Sequence, residues 1–139
     1  MPTTGADLAG GCLCGAVRYR LASAPFDAGW CHCRMCQLNS GSPAMVFASV
    51  HSENYTVEQG AEQIRRYRSS EKAERWFCGT CGTPLLYREI AGPTHDFSVA
   101  TLDDPEAVKP TFHIYYSSHI AWAEAAEDGL ERFSQGRSR

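Results

Sequence analysis

Seven cysteines in three short clusters constrain this chain more than any other feature of its sequence. The clusters are Cys12-Leu13-Cys14, Cys31-His32-Cys33-Arg34-Met35-Cys36 and Cys78-Gly79-Thr80-Cys81. An odd number of cysteines cannot be fully paired in disulfides within one chain, and clustered cysteines in a reducing compartment more often bind metal. The pattern therefore predicts metal sites rather than a disulfide framework.

The first and third clusters have the form of two halves of one structural zinc site. Glycines border both pairs and leave the backbone free to turn around a cation. Two thiolates from each cluster complete a tetrahedral four-cysteine site, which is the usual arrangement of structural zinc. The alternative is a set of buried free cysteines in a core, but the flanking glycines favour metal. The predicted ligands are Cys12, Cys14, Cys78 and Cys81.

The middle cluster offers three thiols, Cys31, Cys33 and Cys36. Catalytic zinc is usually held by three protein ligands, because its fourth position takes a substrate or water. An open site of this kind can bind an external thiol and deprotonate it. Two other interpretations stay open on spacing alone. Either His32 or His113 closes the site as a fourth ligand, or Cys33 and Cys36 form a redox pair with Cys31 as an extra resolving thiol.

The hydrophobic pattern predicts a mainly β fold with little helix. Val17, Tyr19 and Leu21 alternate with two arginines, as in a half-buried strand. Further strands are expected at 44–50, 85–88, 97–100 and 111–116. Residues 62–68 and 73–78 are expected to form a hairpin around residues 69–72. Only residues 121–127 have a helical composition, which Gly129 would end.

Length and charge exclude several other classes of protein. A chain of 139 residues fits one domain, predicted as 1–139, with its core at about 8–133 and a disordered tail at 134–139. A net charge of −3 argues against a nucleic-acid surface. No apolar run approaches the roughly 20 residues that cross a membrane, and no signal-peptide pattern is present. We therefore expect a cytoplasmic protein that binds neither nucleic acid nor membrane.

Three blocks of this sequence resemble, in order and separation, the glutathione-dependent formaldehyde-activating enzyme family. The blocks are 11–19, 31–36 and 77–85, and the segment 101–105 with Pro110 and His113 resembles the downstream part of the family. The resemblance implies a β-tent fold, built from several antiparallel sheets stapled by zinc. It implies a structural zinc on the outer cysteine pairs and a second zinc on the middle cluster. It also implies a carbon–sulfur lyase that joins glutathione to formaldehyde as S-hydroxymethylglutathione.

This resemblance leads to a hypothesis for the reaction and its residues. The thiolate of glutathione would add to formaldehyde beside Cys31, Cys33 and Cys36. The hemithioacetal oxygen then needs a proton, for which His32 is the nearest candidate donor in sequence. Adjacent side chains on an extended segment diverge, however, which favours His32 as a bystander. Arg34 and Arg75, each beside a cysteine cluster, are the predicted partners of the two glutathione carboxylates.

Two other functions fit the same residues. The chain would be a non-enzymatic binding module if the zinc-stapled scaffold docks on a protein partner, although such a scaffold has no need of a three-thiol site. It would be a thiol redox sensor if the middle cluster forms a reversible disulfide. No phosphate-binding glycine loop is present, so a nucleotide-dependent reaction is not expected. The oligomeric state is left open by the sequence.

Overall fold

The fold is mainly β, as the sequence predicts. The computed structural model describes residues 8–124 and 128–137, which contain eleven strands and one α-helix. The strands are β1 (Ala9–Gly11), β2 (Arg18–Leu21), β3 (Phe26–Cys31), β4 (Met45–His51), β5 (Tyr55–Gln59), β6 (Ile64–Arg68), β7 (Ala73–Cys78), β8 (Pro84–Glu89), β9 (Thr94–Ser98), β10 (Phe112–Ile114) and β11 (Glu131–Arg132), and the helix is α1 (Arg34–Ser40). No helix in these two ranges has the length and hydropathy needed to cross a membrane.

The strands form two sheets that share a hydrophobic core. One sheet has the order β1-β2-β5, and the other has the order β11-β10-β3-β4-β9-β8-β7-β6. Among the described strands, pairing is antiparallel except around β10, which runs parallel to both β3 and β11. Tyr19 of β2 packs between the rings of Tyr55 and Phe97, at centroid distances of 4.6 and 6.3 Å. The alternation predicted for residues 17–21 thus places its apolar side chains in this core.

The strands of the larger sheet send alternate side chains to two different environments. On β4, Ala48 and Val50 lie in the core, whereas Phe47 and Ser49 line a cavity on the opposite face. This division follows from the two-residue period of a strand. The same alternation operates on the neighbouring strands, so one face of the sheet is available for a functional site.

Most predicted strands are present, and the predicted hairpin is β6 paired with β7. The expected strand at 97–100 ends at Ser98, where a single 3₁₀ turn begins. The helix expected at 121–127 is wrong for its first residues, because Ala121–Ala123 form a 3₁₀ turn and Glu124 is extended. Trp122 is 78% exposed, so this piece lacks the packing that stabilises a short helix. Residues 125–127 lie outside the described residues.

The C-terminal strap, as we name residues 128–137, runs beside β10. The backbone N–H of Tyr115 donates to the carbonyl of Gln135, and that of Ser117 donates to the carbonyl of Ser134. Residues 134–137 belong to the segment predicted as a disordered tail, and in the structure they make these specific contacts. Residues 138–139 of that segment lie outside the described residues.

Candidate functional site

The first and third cysteine clusters come together as one four-thiol group. All four sulfur atoms lie within 4.8 Å of one another. The sulfur of Cys14 is 3.6 Å from that of Cys12 and 3.9 Å from that of Cys78, although 64 positions separate Cys14 from Cys78. Zn–S bonds of about 2.3 Å in a tetrahedron place sulfurs about 3.8 Å apart. The four thiols therefore fit a metal ion, and the group connects the β1–β2 loop to the β7–β8 turn.

Two tight turns present these thiols. Gly15 and Gly82 follow the two pairs with φ of 81° and 83°, a left-handed conformation that favours glycine. The backbone N–H of Val17 donates to the Cys12 sulfur at 3.2 Å. The hydroxyl of Thr83 lies 3.2 Å from the Cys81 sulfur and lowers the pKa of that thiol to about 5. One thiol of each pair, Cys12 or Cys81, is thus favoured as the ionised sulfur that a metal requires, because its pKa is lowered.

The middle cluster forms a second, three-thiol group. The Cys36 sulfur is 3.2 Å from that of Cys33 and 3.4 Å from that of Cys31. Cys31 ends β3, and Cys33 is the N-cap of α1, where its sulfur accepts the backbone N–H of Cys36 at 3.3 Å. Hydrogen bonding with Cys31 and Cys36 lowers the pKa of Cys33 to about 2, and the same contacts raise the pKa of Cys31. The group is therefore arranged to hold negative charge on Cys33.

A cavity of about 590 Å³ lies against the three-thiol group, and all three cysteines line it. Its remaining walls come mainly from alternate residues of β3, β4, β7, β8, β9 and β10. The strand register places a row of polar side chains across this face, each opposite the next. The row is Ser49, Asp96, Tyr87 and Arg75. A cavity of this size suits a small-molecule ligand.

Arg75 brings a buried positive charge to the cavity and to the thiols. Its side chain is 6% exposed, and its Nη2 lies 3.6 Å from the Cys36 sulfur. The guanidinium sits 5.1 Å from the centroid of the Tyr87 ring. Its Nε has no hydrogen-bond partner among the described residues. Since buried charges are normally paired, this arginine is suited to a thiolate or to an anionic ligand.

Asp96 supplies a carboxylate in the same row. One of its oxygens accepts the Ser49 hydroxyl at 2.7 Å and the Thr94 hydroxyl at 3.4 Å. These contacts orient the carboxylate within the cavity lining. Neither Asp96 nor Tyr87 was expected from the sequence. The two-residue period indicates that each shares a strand face with a neighbour, but it cannot show which face borders a cavity.

His32 faces away from the thiols, as expected for neighbours on an extended segment. Its Nε2 lies 2.8 Å from Nδ1 of His113, whose Nε2 is 2.9 Å from the Asp128 carboxylate. Burial lowers the pKa of His32 to about 4, and the ring is absent from the cavity lining. The three-thiol group includes neither His32 nor His113. Within the described residues, the geometry gives no support to a histidine as fourth ligand.

The two arginines predicted to bind glutathione occupy different environments. Arg75 lines the cavity, whereas Arg34 is exposed on α1 and donates to the side-chain oxygen of Gln37 at 3.2 Å. Arg34 is absent from the cavity lining. A different arginine, Arg137 of the C-terminal strap, lines the cavity instead. Nothing in the sequence pattern indicated this residue, because it lies more than a hundred positions from the thiols that line the same cavity.

Comparisons with known proteins point to one family. A family model described as glutathione-dependent formaldehyde-activating enzyme matches residues 7–118. The chain is 32% identical over 93 residues to an uncharacterized lyase of Schizosaccharomyces pombe. This alignment covers 67% of the present chain and 66% of the relative, which is just under two thirds of its length. It is 27% identical over 137 residues to a Halomonas elongata protein provisionally named glutathione-dependent formaldehyde-activating enzyme, covering 93% and 87% of the two chains.

The fold also has a counterpart of known structure. The crystal structure of a Rhodobacter sphaeroides protein matches with a TM-score of 0.59 and 28% identity, covering 73% of this chain and 91% of that chain. The family match includes all three cysteine clusters and the strands from β1 to β10. This chain therefore belongs to the glutathione-dependent formaldehyde-activating enzyme family.

Proposed function

We propose that this chain is a zinc-dependent enzyme of the carbon–sulfur lyase type, which forms and cleaves the adduct of glutathione with formaldehyde. The observation that carries the proposal is the placement of three thiols and a buried arginine in the lining of one cavity. Family membership and the name of the S. pombe relative, a lyase, support the same reaction class. A scaffold that only docks on other proteins does not require such a cavity.

The two thiol groups supply suitable ligand sets for two zinc ions. Cys12, Cys14, Cys78 and Cys81 would hold one ion in a closed structural site, and Cys31, Cys33 and Cys36 would hold the other. A zinc ion bound to three thiolates favours the ionised form of a substrate thiol, since coordination lowers the thiol pKa. Thiolate-rich ligand sets are typical of zinc among the common divalent ions.

The reaction is an addition that needs no oxidant or reductant. The glutathione sulfur forms a bond to the carbonyl carbon, and the carbonyl π pair moves to oxygen. The proton released by the thiol ends on that oxygen, and the reverse steps cleave the adduct. Holding the two reactants together in the cavity supplies a large part of the acceleration.

Residues of the cavity lining would stabilise negative charge and transfer the proton. Arg75 would stabilise negative charge on a bound sulfur or carboxylate, because its guanidinium is buried beside Cys36. Asp96, oriented by the Ser49 hydroxyl, would accept and return the thiol proton. In this proposal Asp96 replaces His32, whose ring contacts His113 outside the cavity lining. Arg34 stays a prediction, since it does not itself line the cavity.

The test combines metal analysis with magnetisation-exchange NMR of labelled formaldehyde and glutathione. We expect two zinc ions per chain and an exchange rate above that of buffer. The substitution Arg75→Met should lower the acceleration by about tenfold or more, as expected for a lost charge-assisted contact. Arg66→Met is the matched control, because Arg66 lies over an aromatic ring, 4.1 Å from the Trp76 centroid, and is exposed. A chain that binds two zinc ions yet leaves the exchange rate at the buffer value would refute the proposal.

The short distance between two sulfur atoms supports the alternative function, a thiol redox sensor. The sulfurs of Cys33 and Cys36 are 3.2 Å apart, so a small movement would bring them to disulfide distance. Hydrogen peroxide would accept the two electrons and two protons as water is formed. Loss of two thiols per chain at low peroxide, with reversal by a dithiol, would favour a sensor over the lyase. We further propose a cytoplasmic location, because a reducing compartment keeps clustered thiols such as these available to metal.

A further inference from the structure

The C-terminal strap adds to the cavity a wall that the family match does not include. The matched region ends at residue 118, whereas Gly136 and Arg137 line the cavity. Arg137 is one of two arginines in that lining, together with Arg75. The cavity is therefore completed by a segment that is outside the family model.

Several contacts fix the course of this strap. The backbone N–H of Phe133 donates to the carbonyl of His113 at 2.8 Å, and that of Tyr116 donates to the carbonyl of Phe133 at 2.9 Å. The rings of Phe112 and Phe133 pack at a centroid distance of 6.3 Å. The parallel pairing of β11 with β10 extends this attachment. Arg137 is thus delivered to the cavity by an ordered segment.

Arg137 lies over the aromatic ring of Phe112 and lines the same cavity as the three-thiol group. Its guanidinium carbon is 4.5 Å from the centroid of the Phe112 ring. That ring lies directly over Gly29, where a Cβ atom would come within 2.3 Å of it. Gly29 is two positions before Cys31 on the same strand face, which is about 7 Å along β3. The Phe112 ring therefore covers the β3 face that leads to Cys31, and Arg137 and Cys31 line the same cavity.

The guanidinium retains hydrogen-bonding capacity toward a ligand. Its Nη1 donates to the Asp27 carboxylate at 3.1 Å, and this contact uses one of the five N–H donors of an arginine. Asp27 is itself held in a left-handed backbone conformation, with φ of 52°. The Arg137 side chain is 36% exposed, so an incoming carboxylate can approach the remaining donors. Forked recognition of carboxylates is the chemistry that arginine serves best.

We propose that Arg137 is a specificity-determining residue, which binds a carboxylate of the thiol co-substrate while the thiol lies at the three-cysteine group. The identity of that co-substrate as glutathione rests on the proposed function. Selection arises because a thiol without a suitably placed carboxylate lacks this contact. The residue is distinct from Arg75, which borders the sulfur atoms themselves.

The test measures the binding of S-methylglutathione by calorimetry, because its blocked sulfur separates carboxylate recognition from chemistry. Arg137→Gln should raise its Kd by about tenfold, the scale of a charged hydrogen bond. The diester of S-methylglutathione, with both carboxylates blocked, should bind the native chain and the variant equally. Arg20→Gln is the matched control, since Arg20 makes an exposed ion pair with Glu58 on the other sheet and should leave both Kd values unchanged. The melting temperature and metal content verify that each variant is folded.

The outcomes separate this inference from the proposed function. The role of Arg137 would be overturned if Arg137→Gln left the Kd of S-methylglutathione unchanged. It would also be overturned if this substitution weakened the binding of S-methylglutathione and of its diester equally. If the NMR exchange assay shows catalysis in that case, the proposed function survives. If the native chain binds S-methylglutathione through Arg137 but does not accelerate exchange, the proposed function fails while the inference holds. Failure of the native chain to bind S-methylglutathione at all would overturn the inference, whereas the proposed function is decided by the exchange assay with glutathione itself.

Discussion

Cys33 combines two roles in one sulfur atom, and substitution can separate them. The sulfur belongs to the three-thiol group, and it also caps α1 by accepting the backbone N–H of Cys36. Serine lacks the thiol but is among the best N-cap residues, whereas alanine lacks both functions. Cys33→Ser should therefore remove the thiol chemistry and keep the cap, and Cys33→Ala should remove both.

The structure sets the size of the expected difference. The first turn of α1 carries no acidic residue, so the Cys33 side chain is the cap that this turn has. Loss of an N-cap typically costs about 1 kcal/mol. We expect the free energy of unfolding of Cys33→Ala to be about 1 kcal/mol below that of Cys33→Ser. Both variants should show an equal loss of zinc affinity at the three-thiol group, because neither retains the third sulfur.

Urea unfolding followed by tryptophan fluorescence measures this difference at pH 7. With zinc in saturating amounts, the four-cysteine site is equally occupied in both variants. Its contribution to the free energy of unfolding therefore cancels in the difference between them. Zinc titration and the exchange assay report the thiol function of the same samples. Equal stability of the two variants would refute the capping argument, and native exchange rates in Cys33→Ser would refute the role of the thiol.

Two further predictions concern the scaffold. Gly60 has φ of 80°, and a Cβ there would lie 2.0 Å from the Ala16 carbonyl oxygen. Gly60→Ala should lower the free energy of unfolding by more than the roughly 1–2 kcal/mol of a left-handed residue alone. Gly129→Ala is the control, because Gly129 has φ of 75° but a Cβ there would meet no atom within 4 Å. Equal decreases in the melting temperature of the two variants would contradict the predicted clash at Gly60. Burial lowers the pKa of His95 from 6.5, so the unfolded chain takes up a proton first and stability falls as the pH drops below 6.5. Urea midpoints measured from pH 7.5 to 5.5 should depend less on pH in His95→Phe than in the native chain, and an unaltered dependence would show the reasoning to be wrong.

Features that depend on neighbouring residues were predictable from the sequence. The three cysteine clusters follow from spacings of two to five positions. Their division into four thiols and three thiols follows from the four ligands of structural zinc, and the thiols group in that way. The β6–β7 hairpin was predictable because a four-residue turn separates two strand-forming runs. The direction of His32 away from Cys31 follows from the period of a strand.

The side chains that line the cavity were not predictable, because their placement depends on the pairing of distant strands. Asp96 reaches the cavity because β9 pairs with β4, which brings Ser49 opposite it across 47 positions.

Helix α1 was not predicted, because its sequence signals are a cysteine acting as N-cap and Gly41 at its C-terminal end, with φ of 71°. Cysteine is not a typical capping residue, so composition gave no sign of the helix start. Arg137 required the path of the strap, which no local pattern describes.

The separation of the ligands in the four-thiol group affects how the chain is made. Cys14 leaves the ribosome 64 residues before Cys78. At synthesis rates of about 5–20 residues per second, this interval is roughly 3–13 s. During that time Cys12 and Cys14 are present without Cys78 and Cys81, whereas Cys31, Cys33 and Cys36 are synthesised almost together. The order of translation thus completes the contiguous three-thiol group before the four-thiol group.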